Sequence, residues 1–374
     1  MNQGAPKIQT TIALLLIPIV FFSLALPSGC SSGKEEPLSV TIHEEDKEAA
    51  PALGAAPKAI SVLCPEGIVP PELITGFADE TGVTVVMMNP SDYPDMIGSI
   101  DTFDLVLVDL GTLAQIIEMG LAAEITAGDI PNLAGVSPPF SDPPVDSDSA
   151  FSVPCLWGSF GIAVNRVYIT DPNIEWAVLF DPRFAGKIDM PDDVRFLVEV
   201  ALREFGTWSD LADPQTLDLA ADLIFEQKKV LRGYFLVPEI IDHLAEGSSF
   251  LGFLDDRSAL AAAEKNDKIQ YVVPQSGAPL WLLFWVVPRA SENVKGAERF
   301  IDFLLDPRHI AAVSNAYLFA NVVGGSRQYL NKELIETPSI ILPEETLANS
   351  RFVAPVDLET ENFMMRLKDD LMLR

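Results

Sequence analysis

The sequence predicts an α/β fold arranged as two lobes, and three features of the chain support this prediction. Runs with the pattern of strands alternate with runs that have the pattern of helices. Residues 103–109 form a continuous hydrophobic strand, as in parallel sheets that are covered on both faces. Residues 153–165 are apolar and rich in strand-forming residues, which suits a strand that carries the chain from one lobe into the other. An ordinary buried strand is the alternative interpretation of residues 153–165.

Length and composition indicate well-packed domains with an acidic surface. The chain has 374 residues, enough for two to three domains, and 48% of them are hydrophobic. It carries 25 Lys and Arg against 54 Asp and Glu, a formal net charge of −29, which repels phosphate backbones and anionic membrane surfaces. We therefore expect no nucleic-acid partner. The acidic surface either attracts cationic ligands or serves solubility, and charge alone does not decide between these two interpretations.

The first 29 residues have the layout of a secretory signal peptide. Lys7 precedes an apolar run without charge, residues 11–26, and small residues then lead to Cys30. This end resembles a bacterial lipobox, although Pro27 stands where leucine is usual. The sequence therefore predicts a lipoprotein signal peptide over 1–29 with lipid on Cys30. An uncleaved anchor helix is the alternative, since the run approaches the roughly 20 residues that span a bilayer.

Residues 30–57 are predicted to be a flexible tether. They are rich in Ser, Gly, Glu, Pro and Ala and show no apolar periodicity. Beyond the tether the chain has two further cysteines, Cys64 and Cys155. An exported compartment permits a disulfide between them, and two unpaired buried thiols are the alternative.

The predicted first lobe opens with a β-α-β unit and continues with a second strand–helix pair. Its expected elements are strands 60–64, 83–87 and 103–109 and helices 70–80 and 113–120. Ligands of parallel sheets lie beyond the carboxyl ends of the strands. Glu66 and Asp109 follow two of these strands and are therefore candidate ligand contacts.

The predicted second lobe also places carboxylates where elements meet. Asp193 precedes a helix that reaches residue 202, and Asp255 and Asp256 follow the strand 250–254. Helix capping is the alternative role for Asp193, and it explains one residue of the Asp255–Asp256 pair. The remaining expected elements are helices 216–232, 240–247, 299–305 and 309–317, return strands 271–274 and 279–288, and outer helical packing from 324 onward.

Six short segments occur along residues 60–327 in a fixed order and spacing: VPPEL at 69–73, ETGV at 80–83, FDLV at 103–106, VP at 153–154, LWG at 156–158 and GIAVN at 161–165. With these segments, residues 60–327 resemble the periplasmic spermidine- and putrescine-binding proteins of bacterial ABC importers, within the extracellular solute-binding proteins. The resemblance implies the type II periplasmic-binding-protein fold, in which crossing strands join two lobes around a ligand cleft. The lobes are then expected over 58–157 with 281–325, and over 160–276 with 326–374.

The resemblance also implies a ligand site for amines. A polyamine is bound by carboxylates and by aromatic faces, whose cation–π attraction contributes about 0.5–2 kcal/mol each. The expected ligand residues are Glu66, Asp109, Trp157, Asp193, Asp255, Asp256 and Trp281. Aromatic and acidic residues of the family are replaced at five positions, by Pro65, Ile68, Gly111, Phe196 and Leu283. The identity of the ligand therefore stays open.

The sequence predicts a binding protein rather than an enzyme. Its 3 histidines accompany no nucleophile motif, phosphate loop, metal-ligand spacing or dinucleotide fingerprint, so we expect no catalytic residue, metal or cofactor. The favoured function is a monomeric, membrane-tethered receptor in the periplasm or on the cell surface. It would deliver an amine-bearing solute to an ABC permease and its ATPase. The alternative is a lipoprotein of the same fold that acts as a sensor or a surface interaction module.

Lipid attachment at Cys30 has a direct test. We expect Cys30→Ala to prevent lipid attachment and to move the protein out of the membrane fraction, because the thiol is the only group there that accepts the lipid. Metabolic labelling with a fatty acid and membrane partition of the full chain measure this. Unchanged processing and unchanged partition in the variant would contradict the prediction.

Overall fold

The protein is built around one continuous mixed sheet with helices packed on it, which confirms the predicted α/β class. The computed structural model describes residues 59–93, 95–204, 211 and 213–373. The predicted signal peptide, Cys30 and the tether lie outside the described residues. In the described ranges, no helix combines the length and the apolar character needed to cross a membrane.

The sheet has 11 strands, and its main path runs in the order β2-β1-β3-β9-β4-β7-β5-β6. The strands are β1 Ala59–Leu63, β2 Thr84–Met88, β3 Leu105–Asp109, β4 Ser152–Asn165, β5 Ile188–Pro191, β6 Gly233–Phe235, β7 Leu251–Asp255, β8 Ile269–Val272, β9 Pro279–Val286, β10 Ala320–Asn321 and β11 Arg351–Phe352. The helices are α1 Pro71–Thr81, α2 Leu110–Glu118, α3 Val194–Glu204, α4 Pro214–Lys228, α5 Val237–Glu246, α6 Asp256–Lys265, α7 Val294–Leu305, α8 Pro307–Tyr317, α9 Lys332–Ile335, α10 Glu344–Ala348 and α11 Leu358–Leu373.

Local sequence signals account for the ends of α1 and for the burial of β3. Pro71 is the first residue of α1, where its missing N–H group costs no intrahelical hydrogen bond. Gly82 ends α1 in the left-handed conformation at φ 71°, which glycine adopts without steric cost. The first four residues of β3 are all buried, as the continuous apolar run predicted, and β3 pairs parallel with β1 and antiparallel with β9.

β4 crosses between two parts of the sheet. Its first part, residues 152–159, pairs with β9, and its second part, from Phe160 onward, pairs with β7 and β8. All 14 residues of β4 are buried. The predicted crossing strand is therefore confirmed, whereas the exact limits of the two lobes stay predictions.

The chain returns between the two parts of the sheet through residues 273–278, which join β8 to β9. Trp176 Nε1 donates a hydrogen bond to the Gly277 carbonyl oxygen at 2.9 Å. From the tail, Asn349 Nδ2 donates to the Gln275 carbonyl oxygen at 3.1 Å, and Ser350 Oγ accepts from the Ala278 amide at 3.0 Å. This return segment is thus held by hydrogen bonds to both the body of the protein and its tail.

The tail is only partly the outer helical layer that we expected from the sequence. α11 packs on α3 and α4, and Thr360 Oγ1 donates to the Leu211 carbonyl oxygen at 3.2 Å. β11, however, joins the sheet parallel to β9, with Arg351 opposite Pro279. A strand of two residues is too short to show a period of two in the sequence.

The two cysteines of the described chain are free and buried. Burial raises the pKa of both thiols, and for Cys64 the neighbouring Cys155 adds to the effect. Cys64 and Cys155 are therefore two unpaired buried thiols, which was the alternative to a disulfide between them.

Gly158 in β4 has no room for a side chain, which gives a test of the crossing. A Cβ atom there would lie 2.3 Å from the Trp281 ring and 2.4 Å from Asp256 Oδ2. We expect Gly158→Ala to lower the free energy of unfolding by about 1–3 kcal/mol, because overpacking forces these groups apart. Gly128→Ala is the matched control, since its Cβ would meet nothing within 4 Å. Equal unfolding midpoints for the two variants in denaturant titrations would contradict this packing.

Candidate functional site

The candidate site lies where α6 meets the crossing strands. β7 ends at Asp255 and α6 begins at the next residue. Asp255 caps α6: its Oδ1 accepts from the Ser258 amide at 2.9 Å and its Oδ2 from the Ser258 hydroxyl at 2.5 Å. Of Asp255 and Asp256, Asp255 is therefore the residue that caps the helix, a role that the sequence predicted for one of the two. A ligand contact for Asp255 stays a prediction.

Asp256 reaches from α6 to β9. Trp281 Nε1 donates a hydrogen bond to Asp256 Oδ1 at 3.1 Å, and both residues are buried. The other carboxyl oxygen, Oδ2, lies against Gly158 and has no hydrogen-bond partner within the described part of the chain. Gly158 stands opposite Trp281 in the β4–β9 register, which explains why glycine is required there. The structure thus brings together two of the predicted site residues, Asp256 and Trp281.

The electrostatics of Asp256 follow from its burial. Desolvation raises the pKa of Asp256 to about 8, the nearby Asp255 charge acts in the same direction, and Arg257 opposes them. Burial and then the nearby Asp256 also raise the pKa of Tyr271. Asp256 is therefore mostly protonated at neutral pH. Chemically, it is a group that gains a charge when a cation approaches its unpartnered oxygen.

Arg257, the next residue of α6, extends to the segment that follows α8. Its Nη1 donates to the carbonyl oxygens of Tyr317 and Leu318, and its Cζ lies 4.5 Å from the centroid of the Phe319 ring. Leu318 ends α8 in the left-handed conformation at φ 58°. A cation beside the last carbonyl groups of a helix is favourable, because they carry the negative end of the helix dipole. Burial lowers the pKa of Arg257, and the charges of Asp256 and Asp255 oppose this effect.

The sequence did not predict that Arg257 and Phe319 lie in one cluster with Asp256 and Trp281. Arg257 directly follows the two predicted aspartates, so its position in the chain was a usable signal. Phe319 carries no local signal, because the contact between Arg257 and its segment spans about 60 residues of sequence. The Phe319 and Trp281 rings also meet edge-on, with 6.1 Å between their centroids. A continuous chain of contacts therefore runs from Arg257 through Phe319 and Trp281 to Asp256.

Asp109 lies on the same face of the sheet as Trp281. It stands opposite Leu283 in the β3–β9 register, and Leu283 is two residues from Trp281 on β9. Its Oδ1 accepts from the Thr112 amide at 2.7 Å and caps α2. This cap explains why α2 begins at Leu110, earlier than the sequence predicted. Asp109 is thus near the cluster, with one carboxyl oxygen engaged.

Trp157 faces away from the cluster. It stands opposite Leu282 in the β4–β9 register, so its side chain lies on the face of the sheet opposite Trp281. Its Nε1 donates to the Asn321 carbonyl oxygen at 3.1 Å, and its ring packs against Phe140 at 4.8 Å. These contacts give Trp157 a packing role in the described structure.

Glu66 and Asp193 are also separate from Asp256. Glu66 is exposed in the turn after β1. Asp193 precedes α3, and its Oδ1 accepts from the Arg195 amide at 2.9 Å in the capping geometry that we weighed as its alternative role. Burial raises the pKa of Asp193, and hydrogen bonding to the Arg195 amide opposes it. In the described residues, no hydrogen bond or ion pair joins either side chain to Asp256.

Apolar packing occupies positions where the resembled family has polar groups. Phe196 is buried against Phe160 at 4.3 Å and Phe253 at 5.6 Å between ring centroids. Leu283 and Ile68 are buried as well. Among the described residues, no three or more His, Cys, Asp or Glu side chains come close enough to hold a metal ion. Three positions at which the resembled family has polar groups are therefore apolar and buried in this chain.

Comparison with known proteins identifies relatives along most of the chain. A family profile described as bacterial extracellular solute-binding protein matches residues 72–338. The spermidine/putrescine-binding periplasmic protein of Escherichia coli strain K12 is 25% identical over 311 residues, covering 80% of this chain and 88% of that protein.

Solved structures show the same two-lobed fold. The spermidine/putrescine ABC transporter substrate-binding protein of Streptococcus pneumoniae superposes with a TM-score of 0.79 at 20% identity, covering 84% of this chain and 99% of that chain. The Tp0655 lipoprotein of Treponema pallidum gives a TM-score of 0.71 at 20% identity, covering 84% of this chain and 100% of that chain.

The buried carboxyl of Asp256 predicts a specific pH dependence of stability. Its pKa in the folded protein, about 8, lies above the ordinary aspartate value of about 3.9, so the folded state binds the proton more tightly than the unfolded state. The contribution of the protonated Asp256 carboxyl to the stability of the folded state is therefore complete below about pH 3.9. This contribution is lost progressively as the pH rises toward 8. We expect Asp256→Asn to remove this loss, so that the variant gains stability over the wild type between pH 5 and pH 8.

Thermal unfolding of the full chain at several pH values measures the effect. Asp242→Asn is the matched control, because Asp242 is an exposed carboxylate on the neighbouring helix α5 and pairs only with Lys265 at 2.6 Å in the described structure. A wild type and an Asp256→Asn variant with parallel pH profiles would contradict the assigned role of Asp256.

Proposed function

The chain belongs to the family of bacterial extracellular solute-binding proteins, and from this premise we propose that it is the receptor of an ABC importer for a polyamine or another small amine-bearing solute. The single observation that supports an amine is the unpartnered, buried Oδ2 of Asp256 beside Trp281. A buried carboxyl oxygen without a donor is costly, and an ammonium group removes that cost.

Asp256 Oδ2 is closed off from solvent against Gly158 in the described structure, so the proposed complex requires this contact to open first. The ammonium group of the solute then binds Oδ2 and lies near the Trp281 ring. The ammonium stabilises the ionised carboxylate, so binding releases the proton that Asp256 holds at neutral pH. The indole adds a cation–π attraction of about 0.5–2 kcal/mol. Asp109, on the same face of the sheet, adds negative potential. The net charge of −29 favours cationic solutes over anionic ones.

Ligand binding at this place would couple to closure of the two parts of the sheet. Asp256 follows β7, which pairs with the second part of β4, whereas Trp281 belongs to β9, which pairs with the first part. A solute that contacts both residues stabilises the arrangement in which they are close. The transporter then distinguishes the loaded receptor by its closed form, and no bond is made or broken. The proposal therefore involves no catalytic residue, cofactor or metal.

The cellular setting is part of the same proposal. The receptor acts as a monomer in the periplasm or at the cell surface, held to the membrane by lipid on Cys30, and docks on a permease with its ATPase. Support comes from the lipobox-like sequence before Cys30 and from the likeness to the Treponema protein, which is itself named a lipoprotein. A sensor or interaction module stays an alternative prediction, and no particular contact in the described structure favours it.

Calorimetric titration of the full chain with putrescine, spermidine, butylamine and basic amino acids tests amine binding. We expect affinity for the best amine to rise from pH 6 to pH 8, because the proton on Asp256 must leave before the carboxylate pairs with an ammonium. Added salt should weaken the binding. Asp256→Asn should lower affinity about tenfold or more, since a lost charge-assisted hydrogen bond costs about 1.5–3 kcal/mol.

Asp242→Asn is again the control and should bind like the wild type. Asp193→Asn reports separately on the ligand contact predicted for Asp193 from the sequence. The proposal fails if none of these cations binds, or if binding is the same with and without the Asp256 carboxylate.

A further inference from the structure

Arg257 occupies a position that suits a bound cation. Its guanidinium lies over the Phe319 ring at 4.5 Å and donates to the carbonyl oxygens at the end of α8, and Arg257 directly follows Asp255 and Asp256 in the chain. An aromatic face, carbonyl oxygens and carboxylates are also the groups that a protein uses to hold an ammonium ion. The cluster around Trp281 therefore already contains one positive charge that belongs to the protein.

Arg257 is only partly satisfied by these contacts. A guanidinium has five N–H groups, and the hydrogen bonds of the Arg257 side chain in the described ranges all come from Nη1. Its Nε and Nη2 have no acceptor among the described residues, and the side chain is half-buried rather than closed off. These N–H groups are available to a solute that carries an oxygen acceptor.

The surroundings of Arg257 leave little capacity for a second cation. Asp255 is engaged with Ser258, and Asp256 offers a single free oxygen, Oδ2. Asp109, on the same face of the sheet as Trp281, caps α2 through its Oδ1. A ligand ammonium at Asp256 is therefore matched by one carboxylate, whereas a second ammonium beside Arg257 would meet the like charge of the guanidinium. Like charges in a partly desolvated place repel strongly.

Resting on the proposed function, we infer that Arg257 is a specificity-determining residue that restricts the ligand to a solute with one ammonium group and an oxygen acceptor, such as a carboxylate, at its other end. Polyamines, with two or more ammonium groups, are then poor ligands. The ammonium pairs with Asp256 beside Trp281, and the acceptor takes the free N–H groups of Arg257.

Three ligands with similar chains test the inference by calorimetry on the full protein: putrescine, 5-aminopentanoate and butylamine. Putrescine and 5-aminopentanoate share a four-methylene chain and differ in the group at one end. We expect the wild type to bind 5-aminopentanoate at least tenfold more tightly than putrescine, with butylamine between them. Arg257→Gln should lower this ratio at least tenfold, because the variant keeps a polar side chain and loses the charge.

Two further variants separate specificity from structural support. Arg257→Lys keeps the positive charge and should keep the preference against putrescine. Lys265→Gln removes a positive charge from the exposed end of the same helix and should leave the ratio unchanged. A role of Arg257 in folding alone would lower the unfolding temperature of Arg257→Gln and leave the ratio of affinities unaltered, which would overturn the inference.

The outcomes distinguish this inference from the proposed function. The inference is wrong if the wild type binds putrescine as tightly as 5-aminopentanoate. If Asp256→Asn then loses binding of both ligands, the proposed function as an amine receptor is still supported. Absence of binding for all three ligands overturns the inference, and absence of binding for spermidine and the basic amino acids as well overturns both.

Discussion

The structure depends on one continuous strand that keeps two parts of a sheet in hydrogen-bond register. β4 pairs with β9 along its first part and with β7 and β8 along its second, and every one of its residues is buried. Such a strand leaves no room for large side chains where other elements cross it. Gly158 admits Trp281 and Asp256, and Gly161 admits the Tyr271 ring. The polar contacts of the candidate site exist because these two positions have no side chain.

Local patterns were sufficient to predict most of the fold. The alternation of strands and helices, the apolar run of β3 and the length of β4 are properties of consecutive residues, and the structure reproduces them. The tail was less predictable, because β11 has two residues and gains its identity only from pairing with β9. Its place in the sheet is set by long-range contacts that no window of sequence contains.

The candidate site was predictable by residue type and only in part by arrangement. Carboxylates at element ends were expected, but the same ends are where a carboxylate caps a helix, and Asp109, Asp193 and Asp255 all do so. Asp256 differs because Asp255 already caps α6. The Asp256 side chain therefore accepts a hydrogen bond from Trp281 instead. The register of β4 and β9, rather than the sequence, separates Trp281 from Trp157. Phe319 joins the cluster through a turn whose position depends on the packing of α8.

The attachment of the return segment to the tail has a mechanical consequence. Residues 273–278 are bound by the tail through Asn349 and Ser350, and at Gly277 a Cβ atom would collide with the Asn349 backbone. A bend at this segment must therefore carry the tail with it, and β11 transmits that movement to β9 while α11 remains seated on α3 and α4. The two parts of the sheet are thus connected through β4, through residues 273–278 and through the tail bound to them. We expect any change in their relative position to rearrange the tail as well as the two crossings.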